Sequence, residues 1–343
     1  MRTGEAVDLL CCPACAGGLQ LTTDAVDADG HVMSGSLRCA GCGKVYPVSG
    51  GIPRFVPGAA AAAVTGTIDG FGYQWQHAEA ALKDARFNAP EIFLDFIAPV
   101  TRDWFRDRVV LDAGCGSGRF TRSSAAFGAR LVVGVDLSSA VDLAFASTRH
   151  LPNVLIVQGD ILRLPLRPRF EYAFSVGVLH HTANPRGAFL EVASKVAPGG
   201  GMSAWVYGRE NNEWIVRVLD PIRRVTSRLP RPLLLALAHA AAVPLTLAIR
   251  GLYGPVSRRP RLAWLRARLF YFDYMVFLSQ FGYREHAYIV FDHAVPEIAE
   301  YIPRGAFAEW FQAAGLRDVT ITSRAGNSWR GFGVAPAATA GSR

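Results

Sequence analysis

Val109-Val110-Leu111-Asp112-Ala113-Gly114-Cys115-Gly116-Ser117-Gly118-Arg119-Phe120 is the stretch whose reading decides the fold. An apolar, β-branched run ends on a carboxylate. The three glycines that follow let backbone turn sharply and approach a ligand at the N-terminus of a helix. A dinucleotide fingerprint of the form G-x-G-x-x-G/A needs its third small residue at position 119, where helix and strand pack, and position 119 is Arg. A nicotinamide dinucleotide is thereby disfavoured. What remains, D-x-G-x-G-x-G, suits a nucleoside with a charged tail but no phosphate.

Outward from this loop the pattern repeats. RVVLDAG, RLVVGVD, NVLIVQGD, FEYAFSVG and GGMSAWVYG are short runs bounded by Gly, Asp or Pro, with helix-length segments between them. Strands alternating with crossover helices predict a parallel sheet covered on both faces. After Gly208 the pattern is interrupted, then resumes with a helix around Phe307 to Ala314 and the strands LRDVTIT and SWRGFGV. Upstream, Ile92, Phe93, Phe96, Ile97 and Val100 have helical spacing and predict a helical cap over 91–105. Ala59 to Ala63 reads as a linker and the tail from Pro336 as loose.

The second strand ends in Asp136, whose carboxylate can accept from both hydroxyls of a ribose, and the third in Asp160, which can accept from an adenine amino group. With these ordered motifs the chain resembles the class I S-adenosylmethionine-dependent methyltransferases over 108–208 and the last strands. The resemblance implies a Rossmann-like α/β fold with seven strands in the order 3-2-1-4-5-7-6, the last antiparallel. It also implies that Asp112, Gly114, Cys115, Gly116 and Gly118 form the glycine motif. Asp136 with Leu137 would hold the ribose, Asp160 with Ile161 the adenine, and Val178 would line the pocket. The aromatic stretch Phe71 to Trp75 would bring Tyr73 and Trp75 over the cofactor or merely anchor a helix. Cys115 contributes backbone, because nothing near it in sequence supplies the base that a thiol nucleophile needs.

Cys12-Pro-Ala-Cys15 and Cys39-Ala-Gly-Cys42 are two CxxC knuckles 23 residues apart. Four thiolates match a closed structural zinc site and leave no position open for catalysis. A lone CxxC would suit a redox dithiol; the pair is far more specific to metal. Cys11 lies out of register. A β domain of this size needs such a staple. Residues 1–57, with the ending CGKVYPVSGGIPRFVP, resemble the short zinc-ribbon family typified by the activator subunit of tRNA and protein methyltransferases.

The chain has 343 residues and a net charge of +8. Its first twelve residues hold two acids and no apolar run, so neither a secretory nor a transit signal is expected, and the cytoplasm is the expected compartment. Between Arg209 and Arg268 twelve arginines face only Glu210, Glu213 and Asp220. That segment also contains Leu233 to Ile249, seventeen residues without formal charge but with His239 and Pro244 inside. The run is short for a bilayer span and reads as a buried helix or helical pair over the site, or as a helix lying on a membrane surface. The following RRPRLAWLRARLFYFDYMVF interleaves arginine with aromatics, as an RNA surface would, yet Leu262, Leu265, Leu269 and Phe272 also have the spacing of a core stripe.

Methyl transfer from a sulfonium needs alignment and exclusion of water, and a general base only where the acceptor is protonated. His180 and His181, at the end of the fourth strand, are the candidates for that base or for the pocket wall. Tyr207, Asn211, Asn212 and Glu213 are weaker ones, and Asp292 and His293 read as part of a packed loop. The expected organisation is a zinc ribbon over 1–57, linker and cap over 58–107, and a methyltransferase domain over 108–336 with a helical insertion at 209–284, then a flexible tail over 337–343. The expected acceptor is a small or lipid-like molecule taking the methyl on oxygen or nitrogen, with membrane contact through 209–284. The alternatives are an RNA methyltransferase gripping RNA with ribbon and arginines, and a non-catalytic cofactor-binding or zinc-ribbon interaction protein.

Overall fold

The computed structural model describes residues 5–56, 73, 88–295 and 298–338. The expected linker, Trp75 and the last five residues lie outside the described residues. The glycine stretch becomes strand β5 (Val109–Ala113) and the helix α2 (Arg119–Ala126). All five residues of β5 are buried, as in a strand covered on both faces. β6 (Leu131–Asp136) and β7 (Val154–Gln158) pair parallel on one side of it, and β8 (Phe170–Val176) and β9 (Val196–Tyr207) parallel on the other. β10 (Arg317–Arg324) and β11 (Ser328–Val334) close the sheet, β11 running antiparallel against β9. The order is β10-β11-β9-β8-β5-β6-β7, which is 3-2-1-4-5-7-6 counted from β5.

Alternation along the strands divides the core in two. Val110, Val132, Tyr172 and Phe174 meet Phe93 and Ile97 of α1 (Pro90–Ile97) together with Phe105, so the expected cap supplies one layer. It ends at Ile97, and a single 3-10 turn, Arg102–Trp104, completes the stretch. Leu111, Val133 and Val206 face the opposite way, toward Phe189 of α4 (Pro185–Ala193) and Phe307, Trp310 and Phe311 of α9 (Arg304–Ala313).

The N-terminal β domain is a four-stranded antiparallel sheet, β1 (Leu19–Val26), β2 (Val32–Cys39), β3 (Val45–Ser49) and β4 (Ile52–Pro53). It is sewn to the larger sheet through backbone. Phe55 N donates to Gln158 O at 2.7 Å, Cys11 N to Pro165 O at 2.9 Å and Arg167 N to Leu9 O at 2.8 Å. The first covers the open edge at β7, which would otherwise present unpaired groups, and the other two hold the loop after it. Arg54 adds an ion pair to Asp142 of α3 (Ala140–Thr148) at 2.6 Å, and Leu9, Leu10, Leu37, Val48 and Phe55 join the same apolar cluster as β5 to β7.

The segment after β9 is helical. α5 (Asp220–Thr226) is followed by α6 (Arg231–Ala248), which passes through a π turn at Ile249–Tyr253, then α7 (Phe272–Leu278) and α8 (Tyr283–Ala294). Leu234 and Ala238 of α6 pack with Phe291 and Val295. Asp292 and His293 therefore stand on a helix rather than in the packed loop expected from the sequence. The stripe Leu262, Leu265, Leu269 and Phe272 is only half-buried, because the chain there breaks into two short turns before α7.

Candidate functional site

A cleft of about 770 Å³ opens at the carboxyl ends of β5, β6 and β7, the place where an open α/β sheet receives its ligand. Gly114, Gly116 and Gly118 have φ of +93°, +51° and +80°, conformations that only glycine adopts cheaply. At Gly114 a Cβ would sit 2.2 Å from a methyl of Val178, so the loop and the wall facing it are built for one another. Asp136 pins this loop: one carboxylate oxygen accepts from Gly116 N at 2.9 Å, the other from Ser138 N and Oγ at 2.8 and 2.7 Å. Asp160 accepts from Leu162 N at 2.8 Å and turns the chain at the far wall.

Of the residues singled out from sequence, Gly114, Cys115, Gly116, Asp136, Leu137, Asp160, Ile161, Val178 and His181 line the cleft together. Asp112 and Gly118 do not. Asp112 is buried beneath the loop, accepts from Thr121 Oγ1 at 2.6 Å, and is pushed up to about 7 by burial. Gly118 faces Ala144, where a Cβ would come within 3.1 Å, so it lets α2 approach α3. Tyr73 packs on Phe291 at 6.2 Å, in the cluster of the helical segment, and is absent from the cleft lining. Burial holds the Cys115 thiol far above its ordinary range, in keeping with a backbone role.

His180 and His181 form a 3-10 turn after β8. Only His181 lines the cleft. Its Nδ1 lies 2.8 Å from Ile298 O and donates to it, while burial lowers its pKa to about 4, so the ring is neutral at physiological pH. His180 is fully buried, packs at a tilt against Tyr207 with ring centres 4.0 Å apart, and neither ring nitrogen has a hydrogen-bond partner among the described residues. Asn212 is consumed in bracing the loop, donating to Gly208 O and Asn327 O at 2.5 and 2.6 Å.

Behind the cleft lies a second chamber of about 200 Å³, which shares Arg119, Phe120, Val176, Gly177 and Asp292 with it. Trp205 and Tyr207 of β9, Tyr274 and Phe277 of α7, and Tyr288 of α8 supply aromatic walls. Asp292 borders both spaces, and Tyr207 donates to it at 3.4 Å. The sequence alone reads this carboxylate as part of a packed loop. Its spacing from Glu285 and Tyr288 marks one helix face, a signal that exists only once the stretch is read as helix. Arg119, the residue that breaks the dinucleotide fingerprint, is brought down to about 10 by desolvation, and its guanidinium lies 4.2 Å from the Phe120 ring centre.

The ribbon supplies another wall. Pro13, Ala14, Lys44, Tyr46 and Phe55 line the cleft, and nothing in the local sequence announces that role. Tyr46 joins wall to metal site, with its hydroxyl 3.2 Å from Cys12 Sγ and its ring 4.9 Å from Phe55. The four sulfurs of Cys12, Cys15, Cys39 and Cys42 lie within 4.8 Å of one another. Cys12 to Cys42 is 3.6 Å and Cys15 to Cys39 is 3.4 Å. Thiolates about 2.3 Å from a tetrahedral zinc stand about 3.8 Å apart, so the cluster fits that ion. Gly17 leaves room for it: a Cβ there would be 3.0 Å from Cys39 Sγ.

Residues 111–204 match the family described as "Methyltransferase domain", and residues 7–51 the one described as "Trm112p-like protein". The chain thus joins an S-adenosylmethionine-dependent methyltransferase fold to a Trm112p-like ribbon with four cysteines placed for zinc. Among curated proteins, a "tRNA U34 carboxymethyltransferase" of Pseudoalteromonas atlantica is 33% identical over 97 residues, 27% of this chain and 30% of the relative. The protein of the same name from Ruthia magnifica is 36% identical over 80 residues, 22% and 25% of the two chains. The chain thus spans less than a third of the length of these two relatives. A solved complex of the Haloferax volcanii Trm112 methyltransferase activator with a methyltransferase aligns at 17% identity and TM-score 0.44, covering 78% of this chain and 97% of that one. The printed names of the two curated relatives correct the acceptor expected from the sequence. The small or lipid-like molecule gives way to the RNA alternative, because the curated relatives are named for a tRNA nucleotide.

Proposed function

We propose that the chain transfers a one-carbon group from S-adenosylmethionine to a tRNA nucleotide in the cytoplasm. The tRNA acceptor rests on the 33% and 36% identity to enzymes named as tRNA carboxymethyltransferases, and the one-carbon group on the match of residues 111–204 to the methyltransferase domain, in a chain that also bears a Trm112p-like ribbon. The cleft is compatible with it. Lys44 and Arg163 stand exposed on its lining, where cations would meet a phosphate backbone. The inner chamber, with its aromatic walls, has the size of a single splayed-out base rather than of a duplex.

Bound in the cleft, S-adenosylmethionine would supply an electrophilic carbon on a sulfonium. The residues of the chain then divide the work. The turn at Gly114, Cys115 and Gly116 takes the amino acid end, Asp136 with Leu137 the ribose, and Asp160 with Ile161 the adenine, while Val178 closes the wall. Asp292, at the opening between cleft and chamber, receives the proton that the acceptor loses as its new bond to carbon forms. His181, tethered through Nδ1 to Ile298 O, lines the cleft beside it and orients the acceptor. The proposed organisation is a zinc ribbon over 1–57, a linker and cap over 58–107, and a methyltransferase domain over 108–336 that contains the helical insertion at 209–284.

The test is incubation of the full chain with radiolabelled-methyl cofactor and bulk tRNA, followed by nucleoside mass spectrometry. Label in one modified nucleoside, abolished by Asp136→Ala and lost steeply with added salt, is the expected result. Label confined to the small-molecule fraction of a cell extract would overturn the reading.

A further inference from the structure

Among the described residues one continuous helical run, Arg231–Arg258, is long and apolar enough to cross a bilayer, with a mean hydropathy of 2.0 over its most apolar window. It is nevertheless fastened to the protein along one stripe. Leu234, Ala238, Ala242, Thr246 and Ile249 recur every three or four residues and are buried. Thr246 Oγ1 lies 2.8 Å from His286 Nδ1 in α8, and the Tyr283 hydroxyl donates to His239 O at 2.9 Å. Spanning a membrane would break these contacts.

Its opposite face is open and carries no formal charge from Pro232 to Ile249. Leu233, Leu237 and Val243 are 47–48% exposed and Leu247 is 68% exposed. The outer face of a helix in a water-soluble protein ordinarily carries charged and polar residues, and contiguous apolar surface marks an interaction site. The surface continues sideways, because Trp214, Ile222 and Phe270 meet Leu237 and Ala241 around an apolar groove of about 400 Å³. Exposed arginines border it in sequence: Arg224 and Arg228 before the helix, Arg250 and Arg258 within its last turns, Arg259 and Arg261 after it.

We infer that this face docks on an anionic lipid bilayer, with the helix lying in the headgroup plane and its arginines on lipid phosphates. Charge selects the occupant. A second copy of the chain would bring two cationic rims together, whereas an anionic leaflet complements both the rim and the apolar face. RNA would satisfy the arginines but leave the leucines in water. Exposed Trp214, Trp264 and Phe270 are the residue types that settle at a membrane interface.

The experiment is flotation of the full chain with vesicles of phosphatidylcholine mixed with phosphatidylglycerol. The chain is expected to float at low salt, and to bind pure phosphatidylcholine at least roughly tenfold more weakly. Leu237→Glu combined with Leu247→Glu should abolish flotation while calorimetry finds unchanged affinity for the demethylated cofactor, which shows that the variant is folded. Absence of flotation at low salt overturns the inference, as does flotation that survives the double substitution. A dimer seen by light scattering and dissolved by Leu237→Glu, without vesicle binding, would give the face to a second copy instead. Binding of tRNA that requires the two leucines would give it to RNA. None of these readouts uses group transfer, so this inference and the tRNA reading fail separately.

Discussion

The ribbon and the helical insertion flank the same sheet, yet they are attached by different means. Backbone hydrogen bonds from Leu9, Cys11 and Phe55 join the ribbon to the β7 edge and the loop after it. It buries its leucines in the same cluster as β5 to β7, and it is fixed internally by four converging sulfurs. The insertion is held mainly by side chains within itself, such as Thr246 to His286 and the packing of α6 on α8, and leaves leucines on its outer face. Backbone pairing across a sheet edge fixes register and position together, while side-chain packing between helices tolerates sliding. The ribbon therefore forms a wall of the cleft, whereas among the described residues the helical segment meets the cleft only at Asp292, and the two can be perturbed separately.

The largest effect is expected at the metal. Structural zinc contributes about 10–16 kcal/mol of binding in small ribbons, so Cys39→Ser should lose zinc by elemental analysis and melt the ribbon. Because Lys44, Tyr46 and Phe55 line the cleft, affinity for the demethylated cofactor should fall at least about tenfold by calorimetry, about 1.4 kcal/mol. Full affinity in a zinc-free variant would separate ribbon from cleft. Next comes Gly114→Ala, which combines a positive φ with a collision against Val178. A loss of about 2–5 kcal/mol of stability is expected on thermal melting. An unchanged melt would mean that Val178 yields to the added methyl.

Asp136→Ala removes a carboxylate that pins Gly116 and Ser138, and should weaken cofactor binding by about 1.5–3 kcal/mol. Wild-type affinity would contradict its ribose role. Asp112 offers a reference inside the core. Its pKa in the fold is raised, so the stability it contributes is whole below about pH 4 and is lost as pH rises through about 7. Asp112→Asn keeps the acceptor for Thr121 and should be more stable than the parent at pH 9, by on the order of 4 kcal/mol, with less than half of that gain at pH 5. Equal gains at both pH values would refute a neutral buried carboxyl. The smallest effect belongs to the insertion: Thr246→Val should cost about 1 kcal/mol and leave cofactor affinity untouched. A matching loss of affinity would show that the insertion is as rigidly tied to the cleft as the ribbon.

Much of the site was legible because its residues are close in sequence and their roles follow from local backbone. The loop from Gly114 to Gly118 reads directly, as do the carboxylates at the ends of β6 and β7 and the two cysteine knuckles. Asp112 shows the limit of that reading. A motif position says which residue stands beside the loop, but whether its carboxylate faces the ligand depends on Thr121 of α2. Asp292 was missed for a related reason. Val290, Phe291 and Val295 disguised a helix face as a packed loop, and the chamber it borders is made by strands and helices far apart in sequence. His180 and His181 are adjacent in the chain, yet a 3-10 turn sends only one of them to the cleft.

What the sequence determined by itself is whatever short-range patterning encodes: the alternation of strands and crossover helices, the glycine turn with its acids, the four sulfurs, and an uncharged apolar helix among arginines. The tertiary structure alone decided which of these elements meet. It made the ribbon a wall of the cleft, set Asp292 at the entrance to the inner chamber, and left one face of α6 uncovered. The physical reason is that periodicity states which side of an element is apolar, whereas burial depends on what the rest of the chain brings against it.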